Sequence, residues 1–360
     1  MKRVKLLSYI LFTVLLADCS KSDPGSGNTT TTPPVVTPPV TIPPTTTVFA
    51  KGADIGWLSQ MEASGKKFYD ANGSAMDCIA LLKSLGINSI RLRVWVNPSG
   101  GYCNKADVLA MAMRANAAGM QIMIDFHYSD TWADPGNQTK PAAWASLSLA
   151  DLETAVYNHT FDVLSTLEAN GVKPKWVETG NEINNGLLWT TGEITGTGAG
   201  GGANYAALIN SAYNAVKAVD PNILTILHIS NGFDNSLFQF NLDALKSNGG
   251  KWDITGMSSY PSTSGWASNN TMVLANMQNM ISRYGKPVMV CETGMDVTQG
   301  ATCQQMLTDM MTKTASLGTN GLGLFYWEPE AYGGWQSYSM GAFDSTGKPT
   351  VAMNAFATTY

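Results

Sequence analysis

The sequence predicts a single (β/α)8 barrel, the TIM fold, preceded by an export signal and a Thr/Pro-rich linker. Three observations point there. From about Val48 onward, eight short β-rich runs alternate with helical ones over just over 300 residues. Several of the β-rich runs are apolar nearly throughout, as parallel strands covered on both faces must be. Polar side chains able to do chemistry collect where these runs end, the face on which barrel proteins build their sites. A doubly wound open sheet is the other architecture this alternation allows. No second domain and no repeat beyond the alternation itself is evident.

The strands follow in order. Ala50–Ile55 leads to Asp54 and Trp57, and Ser89–Val96 carries Arg93 and Trp95 before Asn97. Gln121–Tyr128 runs into Asp125-Phe-His127-Tyr-Ser-Asp130-Thr-Trp132-Ala-Asp134-Pro-Gly136. Lys175–Glu182 passes a small residue, Gly180, and presents Asn181 and Glu182. Leu224–Ser230 is the fifth strand; Ile254–Tyr260 ends in Tyr260, Pro287–Glu292 in Glu292, and Gly321–Trp327 in Trp327 and Glu328. Helical spacing fills the gaps, for example at Ala75–Leu85, Lys105–Ala118, Asp151–Ala169, Tyr205–Val219, Met272–Tyr284 and Ala301–Leu317. The opposite strand ends offer little beyond Trp176 and Trp252.

Two glutamates delivered by strand ends are what double-displacement cleavage of a glycosidic bond requires: one protonates the leaving oxygen, the other attacks the anomeric carbon. Each alone could equally cap a helix or pair with an arginine. Tryptophan adds a second signal. Trp57, Trp95, Trp132, Trp144, Trp189, Trp266, Trp327 and Trp335, eight of the ten, fall at or after the C-terminal end of a strand. Indole rings pack the apolar faces of sugars, so a one-sided tryptophan rim suits a saccharide cleft.

The composition fits an exported, compact protein, with 44% hydrophobic and 14% charged residues, 35 glycines and a net charge of −5. No basic concentration suggests nucleic acid. Lys2, Arg3 and Lys5 precede an apolar run from Leu6 to Ala17, too short to span a bilayer, so residues 1–18 read as a signal peptide. Leu16-Ala-Asp-Cys19 resembles a bacterial lipoprotein cleavage box, although Asp18 stands where a small residue is usual. Cys19 is therefore the expected lipidation site, and the membrane an expected partner through that anchor, at the cell surface of a bacterium (outer membrane). Cleavage there takes the net charge from −5 to −7, because three cationic residues and one anionic residue leave. Residues 19–47 are polar and then Thr/Pro-rich, an extended tether, and residues 48–360 form the barrel. Cys78, Cys103, Cys291 and Cys303 allow three disulfide pairings, of which Cys78–Cys103 with Cys291–Cys303 is the short-loop option.

Other chemistries find little support. Gly196-Thr-Gly-Ala-Gly-Gly201 satisfies G-x-G-x-x-G but sits in a polar loop rather than at a strand–helix turn. The three histidines, His127, His159 and His228, show no zinc spacing, and no G-x-S-x-G elbow occurs. Loop carboxylates such as Asp296 offer oxygens to calcium, but without EF-hand spacing, so neither a metal nor a cofactor is expected. A monomer is expected.

Gly52-Ala-Asp-Ile55, Arg91-Leu-Arg-Val-Trp-Val-Asn-Pro98, Asp125 to Gly136, Gly180-Asn-Glu-Ile183 and Glu292-Thr-Gly294 together resemble glycoside hydrolase family 53, the arabinogalactan endo-β-1,4-galactanases. The likeness runs from about Ala50 to Tyr360. It implies a (β/α)8 barrel, net retention of configuration, Glu182 as acid/base and Glu292 as nucleophile. It further implies that Arg93, His127, Asn181, Tyr260 and Trp327 line the subsite of cleavage, with β-1,4-galactan as the partner. The strand-end residues Asp54, Trp57, Asp130, Trp132 and Trp335 complete the expected substrate-binding set. Two carboxyls about 5.5 Å apart repel by roughly 3 kcal/mol at an effective dielectric near 20, so ionising one holds the proton on the other. Arg93 and the Tyr260 hydroxyl are expected to keep Glu292 charged. Two further readings stay open on sequence alone: a non-catalytic glycan-binding lipoprotein, and a related barrel hydrolase of mannan or cellulose.

Overall fold

The computed structural model describes residues 48–360. The expected signal peptide and Thr/Pro-rich tether, with Cys19, lie outside the described residues. Eight parallel strands close into a barrel: β1 (Ala50–Asp54), β2 (Ser89–Val94), β3 (Gln121–Phe126), β4 (Trp176–Glu178), β5 (Leu224–Ile229), β6 (Ile254–Ser259), β7 (Val288–Thr293) and β8 (Gly321–Trp327). Each strand pairs with its neighbours in chain order, and β1 closes the ring against β8 through Ala50↔Gly323 to Asp54↔Trp327. The helices outside the ring are α1 (Leu58–Ala63), α2 (Cys78–Ser84), α3 (Lys105–Ala117), α4 (Leu149–Ala169), α5 (Gly201–Val219), α6 (Asn235–Ser247), α7 (Trp266–Tyr284) and α8 (Gly300–Ala315). Helices cover the outer face of the ring and the strands' inward side chains fill its interior, which is why the strands carry no solvent-facing polar row.

Strand alternation sorts the core into two layers. Val288 and Val290 face the helices, whereas Met289 and Cys291 fill the barrel with Met123, Trp176, Ile226, Ile254 and Phe325. Trp176 and Phe325 meet edge to face at 6.1 Å and plug the base. That plug explains the glycine in β1, because a Cβ at Gly52 would lie 2.1 Å from the Phe325 ring.

Helix boundaries follow local capping. The side chains of Asp77, Asn104, Ser148 and Asp234 accept backbone N–H groups at the starts of α2, α3, α4 and α6. Asp77 also corrects the sequence expectation of a helix from Ala75. Ala75–Met76 instead pairs antiparallel with Phe68–Tyr69, and the helix begins after the Asp77 cap. His159 lies in α4 with its ring edge-on to Phe126, Tyr128 and Trp144, a core position rather than a ligand.

The short-loop disulfide option is also corrected: Cys78, Cys103, Cys291 and Cys303 are all free and buried. Cys291 points into the barrel while Cys303 packs in the helical layer, on opposite faces of the same strand wall. Cys103 donates its thiol to the Gly56 carbonyl at 3.3 Å instead of meeting Cys78.

Candidate active site

The open end of the barrel, at the C-terminal ends of its strands, holds the chemistry. A cleft of about 600 Å³ is lined by His127, Trp132, Asn181, Glu182, Tyr260, Glu292 and Trp327, with Ala133, Asp134 and Met340. A second hollow of about 840 Å³ shares Trp132 and Trp327 with it and adds Trp57, Gln60, Trp95 and Gln336.

Backbone irregularities place both glutamates. Strict alternation along β7 would send Glu292 outward with Val290. The pairing with β6 slips between Met257↔Val290 and Ser258↔Glu292, and this bulge turns the carboxyl towards the barrel axis, 2.9 Å from Arg91 Nη1. On the other side, β4 ends at Glu178 rather than at Glu182 as the sequence suggested. The chain turns at Gly180 (φ +123°), and Glu182 itself adopts the left-handed region (φ +45°). Neighbouring elements hold this turn: Ile183 donates its N–H to the His228 carbonyl at 2.9 Å, Gln138 Nε2 donates to the Asn181 carbonyl at 2.8 Å, and Asn241 Nδ2 donates to the Ile183 and Asn184 carbonyls.

Arg91 is the hub of the barrel mouth and the residue sequence reasoning missed. Its guanidinium lies 2.6 Å from Asp54, 2.7 Å from Glu178, 2.9 Å from Glu292 and 3.0 Å from Asp125, and it donates to Asn181 Oδ1 at 2.9 Å. Tyr260 donates its hydroxyl to the other Glu292 oxygen at 2.9 Å. Burial pushes the Glu292 carboxyl up, to about 7; Arg91 pulls it down, and the negative charge of Glu182 pushes it up again. His228 sits 3.0 Å from Glu178 and 2.8 Å from the Ser258 hydroxyl. Burial opposes its charge, but the charge and hydrogen bond of Glu178, together with the charge of Glu292, lift His228 to about 9. The Asn181 amide is fixed at both ends, with Oδ1 facing Arg91 and His228 and Nδ2 donating to the Ala133 carbonyl at 2.8 Å.

His127 is neutral and its orientation is set. Burial, together with the charges of Arg93 and Arg91, lowers it to about 3. Its Nδ1 accepts from the Ala133 N–H at 3.0 Å and the Trp95 indole at 3.2 Å, while Nε2 lies 2.9 Å from Asp125.

Four expected site residues stand elsewhere than the cleft surface. Arg93 does not touch Glu292. It pairs with Glu328, and its guanidinium lies 4.5 Å from the Trp132 ring centre and 5.3 Å from that of Trp57. Arg91 and Arg93 are two apart on one strand and so face the same way, but Arg91 sits one layer deeper, level with the carboxyls. Asp54 is fully buried and braces Arg91 and the Gly56 N–H rather than meeting the cleft. Asp130 accepts the Asn97 and Ala142 N–H groups and so shapes its loop. Trp335 packs against the core, and its neighbour Gln336 takes the place expected for it beside the tryptophans. Trp57 walls the second hollow.

The tryptophan rings stand at steep angles to one another: 76° for Trp57 and Trp132, 64° for Trp57 and Trp327, 83° for Trp95 and Trp132. Glu330 is buried, and burial beside the Glu328 carboxyl pushes its own carboxyl well above the usual range. Among the described residues, no group of three or more His, Cys, Asp and Glu side chains is arranged to hold a metal ion.

Aromatic walls hold the apolar faces of sugars, and carboxyls in the same hollow act on the acetal bond between them. The fold and the cleft together are those of a barrel glycosidase. Comparison with known proteins narrows that class: residues 50–356 match the profile described as glycosyl hydrolase family 53, and the chain belongs to that family. It is 36% identical over 302 residues to a probable arabinogalactan endo-beta-1,4-galactanase A of Neosartorya fischeri, covering 78% of this chain and 83% of that protein. It is 33% identical to the endo-beta-1,4-galactanase of Bacillus subtilis, covering 78% of this chain and 70% of that one. A solved fungal beta-1,4-galactanase superposes with a TM-score of 0.79 at 30% identity, over 86% of this chain and 99% of its own.

Proposed function

We propose that this chain is a retaining endo-hydrolase of β-1,4-galactan, with Glu292 as nucleophile and Glu182 as acid/base. The observation that carries the assignment of roles is the inequality of the two carboxyls' partners. Glu292 faces donors on both oxygens, Arg91 and Tyr260, whereas among the described residues no protein hydrogen bond reaches the Glu182 carboxyl. Donors stabilise a carboxylate, and a free carboxyl facing the cleft can carry a proton. The two donors suit Glu292 to the charged role of the nucleophile, and the carboxyl without a protein donor is left for the proton-carrying role.

The reaction then runs in two displacements. A Glu292 oxygen bonds to the anomeric carbon as the bond to the bridging oxygen breaks, and that oxygen takes the Glu182 proton. Water next attacks the same carbon, loses a proton to Glu182 and releases Glu292. The second Asn181 amide N–H, left over from its bond to Ala133, is the donor for a sugar hydroxyl beside the reacting carbon.

The angled tryptophans support the substrate reading. β-1,4-linked galactose bends at each axial O4, whereas glucan and mannan chains run nearly straight, so a galactan track needs platforms that turn. Internal cleavage of β-1,4-galactan to short oligosaccharides is expected, with kcat/KM on mannan and cellulose lower by several orders of magnitude, because polar groups fitted to the axial oxygen are left unpaired by an equatorial one. Rates on the three purified polysaccharides test this. Comparable kcat/KM on mannan, or release of galactose alone from a chain end, would sink it.

For the amino terminus we propose export and lipid anchoring at Cys19, with residues 19–47 as tether. No helix among the described residues is long and apolar enough to cross a membrane. Full-length chain should partition with membranes and Cys19→Ala should not; wild-type chain found wholly soluble after expression in a lipoprotein-processing bacterium would count against the anchor.

A further inference from the structure

The geometry points to Phe233 as a platform for the departing part of the sugar chain, an inference that rests on the retaining-hydrolase reading above. Glu182 follows β4 and Glu292 ends β7, so together they divide the barrel rim into two arcs. The clustered tryptophans Trp57, Trp95, Trp132 and Trp327 all belong to the arc of β8, β1, β2 and β3. A chain cut internally must lie across both glutamates, and so must also rest on the arc of β5 and β6.

On that arc the turn after β5 holds an aromatic ring in solvent. Phe233 is 43% exposed, while Ile229, Ser230 and Ser258 beside it are buried. The turn has little freedom. Asn231 is in the left-handed region (φ +53°), a conformation asparagine tolerates better than most residues. Gly232 donates its N–H to the Ser258 carbonyl at 2.8 Å and accepts from Asn276 Nδ2 at 2.8 Å. A Cβ at Gly232 would come 3.1 Å from that same Ser258 oxygen. Asp234 then caps α6 through the Leu237 N–H. A braced turn ending in an exposed phenylalanine presents a rigid apolar face, the surface on which a pyranose packs.

The same turn is tied to the acid/base. Asn184 Nδ2 donates to the Ser230 hydroxyl at 2.7 Å, and the Ser230 N–H donates to Asn184 Oδ1 at 2.8 Å, locking the Glu182 and Phe233 turns together. The acid must touch the bridging oxygen, so the sugars beyond that oxygen extend over the elements bonded to the Glu182 turn. Two residues past Ser258, Tyr260 is 38% exposed and donates its hydroxyl to Glu292.

The test compares Phe233→Ala and Phe233→Trp with wild type on two substrates. One is β-1,4-galactan, backed by reducing-end-labelled galactohexaose. The other is 2,4-dinitrophenyl β-1,4-galactobioside, whose leaving group departs unaided and whose kcat reports attack of water on the glycosyl-enzyme. Phe233→Ala should lower kcat/KM on the galactan substrates about five- to tenfold, mainly through KM. It should change kcat on the aryl galactobioside less than twofold, and Phe233→Trp should recover the loss. Unchanged galactan kinetics in Phe233→Ala would overturn the inference. So would equal losses on both substrates, which would mean that the ring supports the Glu182 turn instead of sugar. Wild-type enzyme that cleaves the aryl galactobioside but leaves galactan intact would remove the polymer-substrate reading, and this inference with it.

Discussion

Glu292→Ala and Glu182→Ala should each lower kcat on galactan by about 10³-fold or more, and the double variant should lose little beyond either single one. Each substitution removes half of a coupled unit: without Glu292 no covalent intermediate forms, and without Glu182 the sugar leaving group departs unprotonated. Residues acting on the same step are not additive, so the double-mutant cycle reads their coupling. Added azide separates the roles. In Glu292→Ala the small anion enters the vacated space under the ring, attacks directly and gives the α-galactosyl azide. In Glu182→Ala, with an activated aryl substrate, azide attacks the glycosyl-enzyme and gives the β-azide. Products of the opposite anomeric pattern, identified by NMR, would show that the two roles are reversed. Additive losses would show that the glutamates do not act on one bond.

Arg91→Met should cost about 3–5 kcal/mol of folding stability, measured by denaturant unfolding at pH 7, because it leaves several buried carboxyls without their cation. The contacts at Asp54, Asp125, Glu178 and Glu292 cannot all be re-made by surrounding groups, since Arg93 is already paired with Glu328 and reaches only Asp54, and His228 faces Glu178. If the methionine variant does not fold, Arg91→Lys supplies the same test at lower cost, keeping the charge but not the fork that reaches several carboxyls at once. In either variant the acid limb of kcat/KM should move to higher pH. Arg91 lowers the pKa of Glu292, so removing or displacing its charge raises the pH at which the nucleophile ionises. Wild-type stability and an unmoved acid limb in Arg91→Lys would reduce Arg91 to an incidental contact.

These two experiments bear on different kinds of information. The glutamates were legible in the chain because each follows an apolar run and because a barrel gathers strand ends on one face. The alternation of strands and helices and the apolar character of the strands follow from the same periodicity, a local property that the sequence alone determines, whereas the closed ring they form is shown by the structure. Neither glutamate, however, obeys that periodicity. Glu292 reaches the axis through a bulge in β7, and Glu182 sits in a left-handed turn beyond the end of β4. Both irregularities depend on pairing with residues far away in the chain, so no local pattern announces them.

The choice between Arg91 and Arg93 shows the same limit. Both lie on β2 and face inward, and the sequence offered Arg93 because it lies nearer the strand end. Which one meets Glu292 depends on the depth at which carboxyls from β1, β3, β4 and β7 converge, and only the closed ring fixes that depth. Asp54 and Asp130 carry the chemistry of binding residues yet serve as braces, because backbone N–H groups or a guanidinium claimed their oxygens first. The sequence determined which chemical groups reach the barrel mouth. The tertiary structure decided which of them face the cleft and which are consumed in holding the others, because that partition is set by long-range register and by competition for hydrogen bonds.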